Sequence, residues 1–109
     1  MEDSLENATV SYVKAIKDTA VYKKYCEQLE RLKKSPEKYQ MVNEFRRRNF
    51  EIQNTAQKDE LFDKMNAFEE EFEKFREDSV VDEFLRAELA FCRMMQEINL
   101  YITEAVNFE

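Results

Sequence analysis

Apolar side chains recur at steps of three and four residues along most of the chain, which is the spacing of one face of an α-helix. Polar breaks divide this pattern, and the sequence predicts helices over residues 4–17, 20–34, 36–55, 59–76 and 80–106. The clearest break lies at Ser35 and Pro36, because Ser caps a helix and Pro fits its first turn, where no N–H is needed. The chain is therefore expected to be an all-α bundle of about five helices with a long C-terminal helix, forming one domain over residues 1–109.

The last predicted helix is apolar almost all round. A second predicted cap, Ser79 with Asp82, begins it. One series of its positions follows alternating steps of four and three residues, as in a heptad seam. The seam consists of Val81, Leu85, Glu88, Cys92, Met95, Asn99, Ile102 and Val106.

Further apolar residues, such as Phe91 and Ile98, lie off this seam. A helix of about 27 residues is roughly 40 Å long, whereas a compact domain of about 100 residues has a radius of gyration of only about 13 Å. A second copy is the simplest cover for such a rod, so we expect a homodimer. The predicted dimer interface consists of Phe84, Leu85, Glu88, Phe91, Met95, Ile98 and Asn99.

Two seam positions are polar. An unpaired carboxylate at Glu88 would be costly to bury, so it is expected to pair with an Arg or Lys of a neighbouring helix. The candidates are Arg47, Arg48 and Arg93, and the sequence does not choose among them. A buried Asn on a seam commonly fixes register or partner choice, which is the role expected of Asn99 unless the helix bends and turns it to solvent.

The composition argues against most catalytic chemistry. The chain has no Gly, one Pro and no His. Gly-rich phosphate loops and tight hairpins need Gly, and the commonest general base and the usual zinc and di-iron sites need His. The sequence thus predicts a non-enzymatic protein without metal or cofactor, and an enzyme that uses carboxylates alone is a disfavoured alternative.

The charge is divided unevenly along the chain. The net charge is −7, and residues 1–58 hold 12 basic against 9 acidic side chains, whereas residues 59–109 hold 5 against 15. A chain of this sign is repelled by nucleic acid and by anionic membranes. The acidic run Glu69, Glu70, Glu71 and Glu73 is expected to be a solvated face rather than a cation site.

Arg46, Arg47 and Arg48 are the exception to the acidic character, and they support an alternative function in binding nucleic acid or an acidic partner. Consecutive helical residues point about 100° apart, so at most two of them share a face. Exposure to solvent, or pairing with the acidic fourth helix, is the favoured interpretation.

The two cysteines, Cys26 and Cys92, lie far apart on apolar stripes. Buried free thiols are expected, and the alternative is a share in an iron–sulfur cluster, since a dimer would supply four thiolates. No stretch reaches the 18 or so apolar residues of a membrane span, and the first residues lack the basic and then apolar order of a signal peptide. A cytoplasmic protein is expected.

The sequence resembles the YlbF/YmcA/YheA-like family of small helical bacterial regulators. The resemblance covers nearly the whole chain and is strongest in the last helix. It is carried by Tyr22-Lys23-Lys24-Tyr25, Ser35-Pro36-Glu37, Asn43-Glu44-Phe45, Gln53, Val80-Val81, Phe84-Leu85-Arg86-Ala87-Glu88, Ile98-Asn99 and Ile102.

The resemblance implies a helical bundle assembled as an intertwined dimer and a regulator that acts by binding. Members of the YlbF and YmcA type act with a third protein in the control of competence, sporulation and biofilm formation, and they modulate ribonuclease-dependent messenger RNA processing. The implied partners are a second copy, other family members or a ribonuclease-associated complex. The chain departs from those members at Ser79, where a Pro often stands, and in having no thiol after Cys92, which places it nearer the YheA-like branch.

Overall fold

The computed structural model describes residues 2–55 and 58–107, with only the backbone described at 55, 58 and 59. Within these ranges the chain forms helices and no strand, so the prediction of an all-α bundle is confirmed. Each predicted boundary agrees with the structure to within one residue. The helices are α1 (Asp3–Lys17), α2 (Ala20–Lys33), α3 (Pro36–Thr55), α4 (Lys58–Phe75) and α5 (Ser79–Val106).

Side-chain caps account for where two of the helices begin. The Tyr22 N–H donates to the Thr19 hydroxyl at 3.1 Å at the start of α2. At the start of α5 the Asp78 carboxylate accepts from the N–H groups of Val80 and Val81. The prediction that Ser79 caps this helix is therefore wrong, because the cap is the preceding residue, Asp78. Asp caps as well as Ser, and the Asp78 carboxylate reaches two backbone donors.

The long helix α5 packs antiparallel against α2. The rings of Tyr22 and Phe91 lie 5.6 Å apart, and farther along α2 the Arg31 guanidinium forms an ion pair with Glu83. Higher residue numbers on α2 thus face lower numbers on α5. This pair of helices forms the body of the molecule.

The α3–α4 hairpin, which consists of the helices Pro36–Thr55 and Lys58–Phe75, is also antiparallel. The Phe45 ring stacks on Phe75 with 4.8 Å between centroids, and the Arg48 guanidinium lies 2.6 Å from the Glu71 carboxylate. Near the base of the hairpin, the Lys38 ammonium lies 2.6 Å from Asp78. The rings of Phe68, Phe72 and Phe75 on α4 all lie within 6 Å of the Phe45 ring, so the aromatic side chains of α4 pack mainly against α3.

The buried core is small and lies where α2, α3 and α5 meet. Its fully buried side chains are Leu32, Val42, Val81 and Phe84. The radius of gyration is 18.1 Å and the extents are 50 × 38 × 19 Å, compared with about 13 Å for a compact domain of this length. The chain is elongated, and much of its apolar surface lies outside the core. No described helix is both long enough and apolar enough to cross a membrane.

Candidate protein-binding surface

The helix α5 presents one face to α2, and this face belongs to the core of the chain itself. Phe84 is 1% exposed, so it has no free surface to offer a second copy, although it was predicted to lie in the dimer interface. Phe91 is half-buried and stacks on Tyr25 with 5.2 Å between ring centroids. Ala87 between them is also buried.

Several large apolar side chains of α5 are exposed to solvent. Of the other residues predicted for the dimer interface, Leu85, Glu88, Met95 and Ile98 are half-buried, and Asn99 is exposed. We call the exposed apolar residues of α5 the outer surface of α5. They are Leu89, Leu100, Tyr101, Ile102 and Val106, with exposed fractions between 43% and 73%.

Glu88 pairs with Arg46, which was not among the three predicted partners. Arg46 points from α3 toward α5, and its guanidinium also lies 5.6 Å from the centre of the Phe84 ring. The pair is partly exposed, with 46% of the Arg46 side chain and 28% of the Glu88 side chain accessible. The prediction that Glu88 pairs with a cation of a neighbouring helix is confirmed, but the predicted partners were wrong, since the cation is Arg46.

The three consecutive arginines bind carboxylates in three directions. Arg47 pairs along its own helix with Glu44 and Glu51, and Arg48 reaches Glu71 on α4. The hydrogen bond from Arg47 lowers the pKa of the Glu44 carboxyl, and the one from Arg48 lowers the pKa of Glu71. The triplet therefore does not form a single patch of unpaired cations.

The corner between α4 and α5 is held by two aspartates. A hydrogen bond from Lys38, followed by the backbone donors of Val81 and Val80, holds the pKa of Asp78 below its usual value against the opposing effect of burial. Asp82 accepts from Arg86 at 2.7 Å and from Arg76 at 2.9 Å, and these contacts, that of Arg86 first, lower its pKa. Both carboxylates thus favour their charged form in the folded chain.

Both cysteines are free thiols. Cys26 is half-buried, but Cys92 is exposed, so the prediction of a buried thiol is wrong for Cys92 within a single chain. The part of the chain that the structure describes contains no group of three or more Cys, Asp or Glu side chains arranged to hold a metal ion.

A cleft of about 330 Å³ opens between the α3–α4 hairpin and α5. We call it the hairpin cleft. Its apolar walls consist of Phe45, Met65, Phe68, Phe72 and Leu85. Its polar lining consists of Arg46, Asn49, Glu69 and Glu88. This cleft was not predicted from the sequence, because the spacing of the aromatic residues along α4 is equally compatible with a fully packed helix.

Comparison with known proteins identifies the family. The sequence model of Com_YlbF, described as control of competence regulator ComK, YlbF/YmcA, matches residues 11–107. The chain belongs to the YlbF/YmcA family. The matched range reaches from α1 to the end of α5, so it includes the core, the hairpin cleft and the outer surface of α5. No curated protein and no solved structure matches the chain.

Membership of this family confirms the resemblance found in the sequence. A YlbF/YmcA protein is, by the description of its family, a regulator of competence. This supports a regulatory role for the chain.

Proposed function

We propose that the protein is a non-enzymatic regulatory adaptor that binds other proteins and works as a homodimer through the outer surface of α5. The observation that carries this proposal is the exposure of apolar side chains in the last turns of α5. Ile102 and Val106, one turn apart on the same face, are 43% and 68% exposed, and Leu100 and Tyr101 beside them are 59% and 73% exposed. Large exposed apolar patches mark sites of protein association.

None of the helices that the structure describes covers this surface, since its residues are 43–73% exposed. The helix α2 packs on α5 at Phe84, Ala87 and Phe91, which precede the exposed residues at the end of α5, and the α3–α4 hairpin meets α5 at Glu88. Each Å² of apolar surface left in water forfeits roughly 25 cal/mol. If α5 of a second copy packs against α5 of the first, both helices bury these side chains and recover this free energy. No other protein is needed.

The family supports a more specific proposal about the processes that the protein regulates and the partners that it binds. We propose that the protein acts in the cytoplasm in the control of competence, sporulation and biofilm formation, with other family members or a ribonuclease-associated complex that processes messenger RNA. Binding rather than catalysis suits a chain without His or Gly. The alternative of nucleic-acid binding has less support, since Arg46, Arg47 and Arg48 each have a carboxylate partner within the chain.

Sedimentation equilibrium tests the dimer. The wild type is expected to have twice the mass of the 13.2 kDa chain at micromolar concentrations. Ile102→Glu and Val106→Glu are expected to give single chains, because each would place an unpartnered carboxylate in the contact. Phe62→Glu is the matched control, since Phe62 is an apolar residue of α4 that is 73% exposed, and it should leave the mass unchanged. A wild-type mass equal to one chain would contradict the proposed dimer.

Affinity purification from the native host tests the adaptor role. Identified partners should be retained by the wild-type protein and should bind it again when both are purified. Failure of every identified partner to bind the purified protein would contradict the adaptor role, whatever the oligomeric state.

A further inference from the structure

The hairpin cleft has the dimensions of a site for one face of a helix. Along α4 its wall runs from Met65 to Phe72, which is two helical turns or roughly 10 Å. An amphipathic helix places anchors at i, i+3 or i+4, and i+7 over this same distance. Phe68 forms the floor and is 7% exposed, whereas Met65 and Phe72 are half-buried and leave room between the walls.

Exposed apolar residues continue the cleft beyond its lining. Phe62 precedes Met65 by one turn of α4, and Phe50 follows Arg46 by one turn of α3, so each lies on a face that borders the cleft. Phe50 is 68% exposed and Phe62 is 73% exposed. The helix α5 therefore does not cover the hairpin at this level, and the apolar track extends for about three turns of α4 from Phe72 to Phe62.

The charge around the cleft is negative, and some of the charged side chains there form ion pairs whereas others do not. Arg46 and Glu88 neutralise one another, and the Asn49 side chain accepts a hydrogen bond from Gln53. Glu69 forms no ion pair with any residue that the structure describes. The helix α4 as a whole carries seven acidic and three basic residues, so the rim that Glu69 occupies lies in a negative field.

This charge argues against α5 of a second copy as the occupant. Residues 94–107, at the C-terminal end of α5, hold every residue of the outer surface except Leu89, together with Glu97 and Glu104, and no basic residue. Placed in the hairpin cleft, its carboxylates would approach Glu69 and be repelled. A helix with cations beside its apolar face would instead be attracted.

We propose that the hairpin cleft binds an amphipathic helix of a partner protein whose apolar face is flanked by Lys or Arg. The apolar side chains of that helix fill the space between Met65, Phe72 and Leu85, and one of its cations pairs with Glu69. The proposal rests on the proposed adaptor function and specifies the surface and the chemistry by which the adaptor recognises its partner.

Two synthetic helical peptides of about 18 residues test the chemistry of recognition. They share one Leu face and differ only in whether Lys or Glu flanks it. Fluorescence anisotropy with the full-length protein at about 50 mM salt is expected to show the Lys peptide binding at least tenfold more tightly than the Glu peptide. The difference should shrink at about 500 mM salt, because salt screens exposed charges. No binding of the Lys peptide, or equal binding of the two, would overturn the proposal.

Charge reversal locates the site. Glu69→Lys is expected to weaken the Lys peptide by about fivefold, as for the loss and reversal of an exposed pair, and to strengthen the Glu peptide. Glu70→Lys is the matched control, since Glu70 is also exposed on α4 but points about 100° away and does not line the cleft. It should change the affinity by less than about twofold. Equal effects of the two variants would mean that only the overall charge acts, and would overturn the proposal.

Met65→Glu distinguishes a partner helix from a second copy. It is expected to abolish binding of the Lys peptide while the sedimentation mass and the helical circular dichroism stay those of the wild type. A fall in mass would show that a second copy covers the cleft, and would overturn the proposal. The two proposals fail separately, because Ile102→Glu should dissociate the dimer and still bind the Lys peptide.

Discussion

At the scale of single residues, direction around the helix decides what each charge does. Arg46, Arg47 and Arg48 are adjacent in the chain, yet they pair with α5, with α3 itself and with α4. The angle of about 100° between neighbours on a helix is sufficient to separate them. A run of like charges in a helical sequence is therefore weak support for a binding patch.

Asp78 provides a prediction at this scale. Asp78→Ala removes the cap of α5 and should lower the free energy of unfolding by about 1 kcal/mol. Asp78→Ser keeps a capping oxygen and loses only the charge that faces Lys38, so it should restore most of that loss. Urea denaturation at neutral pH measures both. Equal losses for Ala and Ser would show that the ion pair with Lys38, and not the cap, is what matters.

At the scale of elements, contacts at the base of the α3–α4 hairpin set the angle between α4 and α5. Asp82 of α5 binds Arg76, which follows α4, and Arg86 of its own helix. Near this corner, Lys38 of α3 contacts Asp78. These pairs join α3, α5 and the residues that follow α4 beside the small core.

The pH dependence of Asp82 tests this corner. Because the folded-state pKa of Asp82 is lowered by Arg86 and Arg76, its contribution to stability is present above the ordinary aspartate pKa of about 3.9. It is lost as the pH falls below that value through the lower folded-state pKa. The wild type should therefore be more stable than Asp82→Asn at pH 6, and the difference should narrow as the pH falls below about 4. Urea titrations over this range measure it.

Glu97→Gln is the control for this pH series. Glu97 is exposed on α5 and forms no ion pair with a residue that the structure describes. It should match the wild type at every pH. A gap of the same size for Glu97→Gln and Asp82→Asn would contradict the role assigned to Asp82.

The junction of α2, α3 and α5 yields a second prediction for the elements. Leu32 is fully buried there, so Leu32→Ala should lower the free energy of unfolding by about 2–5 kcal/mol. Leu5→Ala on α1, at a residue that is 55% exposed, should change it by less than about 0.5 kcal/mol. Chemical denaturation followed by circular dichroism measures both changes. A small loss at Leu32 would show that the junction is not the core.

At the scale of the whole molecule, the chain is too elongated to satisfy its own apolar surface. The radius of gyration is 18.1 Å, and five large apolar residues of α5 are exposed; these two observations are the basis of the proposed dimer. The outer surface of α5 and the hairpin cleft are different surfaces with different chemistry. The outer surface of α5 is apolar, whereas the hairpin cleft is apolar with a negatively charged rim.

If folding and dimerisation are linked, the melting temperature depends on concentration. For the wild type it should rise by roughly 3–5 °C for each tenfold increase in concentration. Ile102→Glu should melt at one temperature throughout. Differential scanning calorimetry measures both. A wild-type melting temperature that does not change over a hundredfold range would contradict a dimer held together in this way.

The amino-acid sequence by itself determined the helices and the family. Helical periodicity, the cap at Ser35 and Pro36 and the absence of Gly are local properties, so they predicted every helix boundary to within one residue. The family resemblance rests on linear motifs and needed no coordinates. The excess of apolar surface on the last helix was also visible, because it is a property of one helix.

Only the tertiary structure decided which surfaces face one another. The rotation of α3 about its axis selects Arg46 rather than Arg47 or Arg48 for Glu88, and periodicity does not fix that rotation. The packing of α5 on α2 places Phe84 in the core and leaves Cys92 in solvent, although both lie on apolar stripes. The hairpin cleft exists because α4 packs on α3 and diverges from α5. Contacts between elements that are distant in sequence depend on the orientation of whole helices, which no local pattern specifies.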